Sequence, residues 1–188
     1  MYEKSKQENP SISFPYWAKL WPSALALTRF LQSSPELTQQ KSVLEIGAGI
    51  ALPSFSIARQ TRSLIISDHQ PDAVELMKRN IELLALRNAT ALLLDWNHFP
   101  PEIKADTILL SDINYSPDQF DTLQQLIIQW ITEGSTIVLS TPQRIMAIPF
   151  VEKISPYLKE HITEEVIDAG ETVLISLMIL NRDNPPIA

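Results

Sequence analysis

The apolar run Val43-Leu44-Glu45-Ile46 stops at a small-residue stretch, Gly47-Ala48-Gly49-Ile50-Ala51-Leu52-Pro53, and three later apolar runs stop at Asp68, Asp95 and Asp112. Small residues at 47, 49 and 51 let backbone approach a ligand closely, and a helix beginning near Pro53 presents free N–H groups and a positive dipole end. In open α/β sheets ligands bind beyond the carboxyl ends of the strands, where carboxylates accept hydrogen bonds from hydroxyls and amines. Turn and N-cap chemistry explains any one such aspartate, but explains four successive acidic strand ends poorly.

Each carboxylate has a candidate role. Asp68 follows Gly49 at the spacing where an acidic residue ending the second strand accepts ribose hydroxyls. Asp95 can accept from an adenine amino group, with the Trp96 indole beside it to stack or to fill core. Asp72 reaches toward the same sugar or acts as a first-turn helix residue. His69 is placed near an adenine or is a plain loop residue. A dinucleotide fingerprint, G-x-G-x-x-G, is not met, because Leu52 stands where its last glycine belongs.

Glu45-x-Gly47-x-Gly49-x-Ala51 resembles the first motif, E/D-x-G-x-G-x-G, of class I S-adenosylmethionine-dependent methyltransferases, with Ala51 in the third glycine's place. Ser111-Asp112-Ile113-Asn114-Tyr115 resembles the D-x-x-Y motif of the family 16 lysine methyltransferases related to nicotinamide N-methyltransferase. Asp95-Trp96 is similar to that family's aspartate-tryptophan pair, and Pro15-Tyr16-Trp17-Ala18-Lys19-Leu20-Trp21-Pro22 to its tryptophan-containing opening segment. The resemblance implies S-adenosylmethionine as cofactor, with S-adenosylhomocysteine as product. It implies cofactor contacts from Trp21, Glu45, Gly47, Gly49, Asp68, His69, Asp95, Trp96 and Asp112, and catalytic roles for Asp112 and Tyr115. Asn114 would be the key amide in an Asn/Asp-Pro-Pro-Tyr motif, but the prolines are absent.

These residues need a frame to position them. Helix-period segments at residues 22–32, 54–59, 71–84, 118–131 and 149–158 alternate with apolar runs at 42–46, 64–67, 90–94, 107–110 and 136–140. Two β-rich runs follow at 162–167 and 172–180, separated only by Asp168-Ala169-Gly170-Glu171, a hairpin signal. The pattern predicts an α/β fold, and the resemblance implies a Rossmann-like, seven-stranded, mainly parallel sheet with a C-terminal antiparallel hairpin and helices on both faces. The 172–180 run suits pairing between chains as well as an internal strand, so oligomeric state stays open.

The chain has 188 residues, 45% hydrophobic and 20% charged, which predicts a single domain over 1–188 with flexible ends at 1–13 and 181–188; the resemblance implies that this is a methyltransferase domain. No apolar run approaches a membrane span and the start lacks a signal-peptide core, so a cytoplasmic protein with no membrane partner is expected. A net charge of −7 argues against a nucleic-acid partner and favours a basic or amine-bearing one. The absence of cysteine excludes a thiolate nucleophile and cysteine-ligated metal, and His98 and His161 have no neighbouring ligand set, so no metal site is expected.

The leading expectation is an N-methyltransferase acting on a protein lysine. A small-molecule N- or O-methyltransferase and a non-catalytic S-adenosylmethionine-binding module remain as alternatives, with a nicotinamide-dependent dehydrogenase third.

Overall fold

Strand pairing in the computed structural model, which describes residues 15–182, gives one sheet of seven strands in the order β3-β2-β1-β4-β5-β7-β6. The strands are β1 (Ser42–Ile46), β2 (Ser63–Asp68), β3 (Ala89–Leu93), β4 (Thr107–Ser111), β5 (Thr136–Pro142), β6 (Leu158–Asp168) and β7 (Glu171–Leu180). The first five are parallel, and β7 runs antiparallel to both β5 and β6. From β1 the chain builds outward through β2 and β3, then returns to place β4 on the other side of β1. The β1/β4 junction is therefore the topological switch point, where a crevice opens at the carboxyl edge.

Alternation along the central strands splits the core in two. Val43, Leu64, Ile66, Leu109 and Val138 face α1 (Pro22–Ser33), α2 (Leu52–Ile57) and α3 (Pro71–Leu83), meeting Leu27, Leu31, Ile57, Ala73 and Met77. Leu44, Ile46, Ile108, Leu110, Ile137 and Leu139 face α4 (Phe120–Thr132) and α5 (Ile148–Ile154), meeting Ile127, Trp130 and Phe150. Both faces of the sheet are covered, which is why these strands read as continuous apolar runs.

Turn chemistry closes the elements where the residue types require it. Gly134, at φ +101°, ends α4, and its N–H donates to the Ile131 carbonyl while that of Ser135 donates to the Trp130 carbonyl. Ala169 and Gly170 both take positive φ in the β6–β7 hairpin, the geometry that matches the twist of the two strands.

Several boundaries differ from the sequence reading. The helix expected at 149–158 stops at Ile154, because Pro156 has no N–H to continue the ladder, and a 3-10 turn spans Ser155–Tyr157. The strand expected at 162–167 runs the full Leu158–Asp168, since pairing with the apolar β7 overrides the low β-propensity of its charged residues. β7 is an internal strand between β5 and β6, so its apolar length is used within this sheet. The helix expected at 54–59 starts earlier, at Leu52, directly after the left-handed Ala51. Residues 1–13, expected to be flexible, lie outside the described residues, as do 183–188; Asn181 and Arg182 are described. No helix among the described residues is long and apolar enough to cross a membrane.

Candidate active site

The loop after β1 is shaped by three residues in the left-handed region: Gly47 at φ +65°, Gly49 at φ +54° and Ala51 at φ +58°. At Gly49 the requirement for glycine is steric as well as conformational. A Cβ there would lie 2.8 Å from the carbonyl oxygen of Trp17, so the N-terminal segment is laid directly across the loop. Trp21 secures that segment: its indole N–H donates to the Tyr16 carbonyl at 3.0 Å, its ring stacks on Tyr16, and the Lys19 ammonium sits 4.4 Å from its centroid. The predicted cofactor residue Trp21 thus organises the segment and is not part of the cavity wall described below.

Asp68 ends β2 and is the hub of the loop. Its Oδ2 accepts the Gly49 N–H at 2.9 Å, its Oδ1 accepts the Gln70 N–H at 2.9 Å, and the His69 ring nitrogen Nδ1 lies 3.4 Å from Oδ1. The carboxylate is buried apart from one edge, with 5% of the residue exposed.

Glu45 behaves differently. By strand alternation it points into the α2 face, where it is fully buried and its Oε2 accepts the Ser54 N–H at 3.1 Å. Burial, reinforced by the Asp68 charge, raises its carboxyl from 4.5 to about 7, against the lowering effect of Ser54. Its Oε1 has no partner among the described residues. The first turn of α2 was expected to offer free N–H groups to a ligand; one of them, at Ser54, is already taken by Glu45.

Beyond β2 and β3 a cavity of about 310 Å³ opens, lined by His69, Asp95, Trp96, Tyr115 and Gln119 among others. The Trp96 indole N–H donates to Gln119 Oε1 at 3.0 Å, which fixes the ring, and the His69 ring lies 6.4 Å from it. Trp96 also closes over the glycine loop, 3.4 Å from where a Gly47 Cβ would be. Asp95 caps the turn that follows it: Oδ1 accepts both the backbone and the side-chain N–H of Asn97. The Asn97 backbone bond, with further bonds from Asn97 and His98, holds its carboxyl below the ordinary value.

On the other side of the switch point, Asp112 follows β4 at φ +54°, an uncommon conformation for a residue with a side chain. It is 8% exposed and paired bidentately with Arg144, Nη1 to Oδ1 at 2.5 Å and Nη2 to Oδ2 at 3.1 Å. Asn114 is fully buried and its Oδ1 accepts from Thr141 Oγ1 at 2.6 Å, so its amide ties the β4 loop to β5. Tyr115 is half-exposed, and burial together with the Asp68 and Asp112 charges raises its phenol above the ordinary value.

The fold therefore gathers Asp68, His69, Asp95, Trp96, Asp112 and Tyr115 along one edge of the sheet. Glu45 lies beneath the glycine loop and Trp21 beside it. Sequence reasoning missed Arg144 and Gln119. The available signal for Arg144 was its place as the first cation past β5, a strand that must neighbour β4 in this topology.

A family model described as lysine methyltransferase matches residues 10–171. The electron transfer flavoprotein beta subunit lysine methyltransferase of Danio rerio is 31% identical over 147 residues, 73% of this chain and 55% of that protein. Human histone-arginine methyltransferase METTL23 is 29% identical over 110 residues, 55% of this chain and 58% of that protein. The chain spans about half the length of the curated relatives it matches. Among solved structures, N-methyltransferase NodS from Bradyrhizobium japonicum WM9 in complex with S-adenosyl-l-homocysteine superposes with a TM-score of 0.69 at 16% identity, covering 95% of this chain and 98% of that one. That likeness is one of fold, a Rossmann-like seven-stranded sheet. With the family match running from the N-terminal segment across the glycine loop and the Asp112 motif to the terminal hairpin, the chain belongs to the lysine methyltransferase family.

Proposed function

We propose that this protein is an S-adenosylmethionine-dependent N-methyltransferase whose acceptor is a lysine side chain of another protein. The observation that carries the reading is the Gly49–Asp68 hydrogen bond beside the switch point, next to an aromatic and acidic cavity whose wall includes Tyr115, with Asp112 three residues before it on the β4 loop. The residues present fit an adenosyl cofactor. Gly47 and Gly49 hold the loop after β1 in its left-handed turns beside the cavity, Asp68 retains lone pairs for ribose hydroxyls, and Trp96 and His69 offer ring faces beside Asp95.

S-adenosylmethionine, when bound, supplies a methyl group on a sulfonium that an amine takes by in-line displacement from an approach of roughly 3 Å. The chain's own task is then positioning. Asp112 orients the amine and stabilises the positive charge it gains, and the protonated Tyr115 phenol and its ring shape the mouth of the slot. A protein lysine is favoured over a small amine by the half-exposed setting of Tyr115 and by the relatives named for protein substrates.

Thermal unfolding with S-adenosylmethionine, S-adenosylhomocysteine and NAD, followed by transfer of labelled methyl to lysine-bearing protein substrates, tests the proposal. A stabilising shift with the two adenosyl ligands alone, and label on lysine, is the expected result; a ligand at 100-fold over its dissociation constant adds about 2.7 kcal/mol. Stabilisation by NAD alone, or label only on small amines, overturns it.

A further inference from the structure

Asp112 carries a partner that the D-x-x-Y motif does not include. The Arg144 guanidinium reaches across from the turn after β5 and takes both carboxylate oxygens, in a pair where Asp112 is almost fully buried and the arginine side chain is 28% exposed. Planar, bidentate geometry makes this the strongest type of side-chain ion pair, and one whose removal leaves a desolvated charge. The turn is set by local bonds, with the Arg144 N–H donating to the Pro142 carbonyl and the Ala147 N–H to the Arg144 carbonyl, while Ala147 and Phe150 are buried anchors.

We propose that Arg144 is a charge-balancing positioning residue: by neutralising Asp112 it lets an acceptor lysine lose its proton before methyl transfer. This rests on the N-methyltransferase reading above. An amine attacks only through its free lone pair, and a bare carboxylate beside a lysine holds it as ammonium. With Arg144 in place Asp112 still offers lone pairs to orient the amine N–H, but the pair carries no net charge. The other charged and titratable groups around the acceptor slot beside Asp112 are Tyr115 on the same loop, Asp68 with His69 on the β2 loop, and Asp95 with His98 after β3. None of these is a cation held on Asp112, so the balance depends on Arg144.

The test compares the wild-type chain with Arg144→Gln and Arg144→Lys in two measurements. The first is the pH profile of kcat for a lysine-bearing peptide with labelled S-adenosylmethionine. In Arg144→Gln the acidic limb moves alkaline by about one pH unit, a tenfold drop in the neutral amine at a given pH, and KM for the peptide falls. Arg144→Lys keeps the charge and stays close to wild type. The second is binding of n-butylammonium, followed by chemical-shift titration with and without S-adenosylhomocysteine. Arg144→Gln binds this cation about tenfold more tightly, the binding counterpart of the same charge change.

An unmoved profile, cation binding no tighter than wild type, or an Arg144→Lys variant that behaves like Arg144→Gln overturns the proposal. A wild-type chain that methylates no lysine overturns the proposed function instead, and the cation titration then decides Arg144 alone. Thermal unfolding of both variants identifies a loss of folding; if Arg144→Gln does not fold, the wild-type chain's binding of n-butylammonium against n-butanol decides, and a cation preference of tenfold or more, as at an unpaired carboxylate, overturns the proposal.

Discussion

Gly49 donates its backbone N–H to Asp68 Oδ2 at 2.9 Å, joining the loop after β1 to the end of β2 across nineteen residues. The spacing that suggested a shared ligand is thus realised as a direct bond that holds the loop open at its left-handed φ.

Gly49→Ala tests that geometry. The added Cβ meets the Trp17 carbonyl at 2.8 Å and must also adopt φ +54°. The left-handed conformation alone costs about 1–2 kcal/mol. Because the obstacle is backbone, the N-terminal segment must lift. A lower unfolding midpoint and a loss of S-adenosylmethionine affinity in titration calorimetry are expected, whereas Gly170→Ala, in open space at the hairpin, pays only for its φ and leaves affinity unchanged.

Asp68→Ala removes the acceptor of Gly49 and the proposed ribose partner together. Hydrogen bonds to a charged group contribute about 1.5–3 kcal/mol each, so affinity for S-adenosylhomocysteine falls by tenfold or more. Asp68→Asn keeps one acceptor oxygen and is expected to fall between. Unchanged affinity in both variants refutes the ribose role.

For Asp112→Asn, turnover is lost while cofactor affinity stays within a few-fold of wild type, read by single-turnover label transfer and calorimetry. The amide is nearly isosteric but no longer carries the charge that Arg144 pairs with, so a stability loss of about 1–3 kcal/mol accompanies it. Wild-type turnover in this variant removes Asp112 from the mechanism.

Glu45 gives a pH dependence of definite sign. Its carboxyl sits at about 7 in the folded chain against 4.5 ordinarily, so between those values the folded state holds the proton more tightly than the unfolded one. Stability contributed by this group is therefore present below pH 4.5 and is lost as pH rises through 7, about 3 kcal/mol in all for a shift of that size. Glu45→Gln abolishes that slope. Urea unfolding of both chains at pH 5 and pH 8 checks it; equal slopes refute the assignment.

Much of the frame was legible from local pattern. Four parallel strands buried on both faces, β1, β2, β4 and β5, read as apolar runs, Gly134 and Ala169-Gly170 marked a helix end and a hairpin, and the alternation of elements indicated the parallel sheet. The strand-end carboxylates were legible for the same reason, since strand ends are visible in sequence. The environment of each carboxylate was not. Glu45 and Asp68 look alike as acidic strand ends, yet one is sealed against Ser54 and the other is bonded to Gly49 at the edge of the cleft. Asp95 lines the cavity as an acceptor beside Trp96, but that its Oδ1 also caps the following turn by accepting from Asn97 is visible only in the fold.

From its order of residues alone this chain settles where backbone must turn left-handed, which runs are buried on both faces and where acidic groups fall, because steric limits and hydrophobic periodicity act over a few residues. Only the tertiary structure decides that Arg144 covers Asp112 and that Glu45 is cut off from water. The ion pair spans thirty-two residues and exists because β4 and β5 are neighbours. Burial and charge pairing, which set how a carboxylate behaves, are properties of what surrounds it in space.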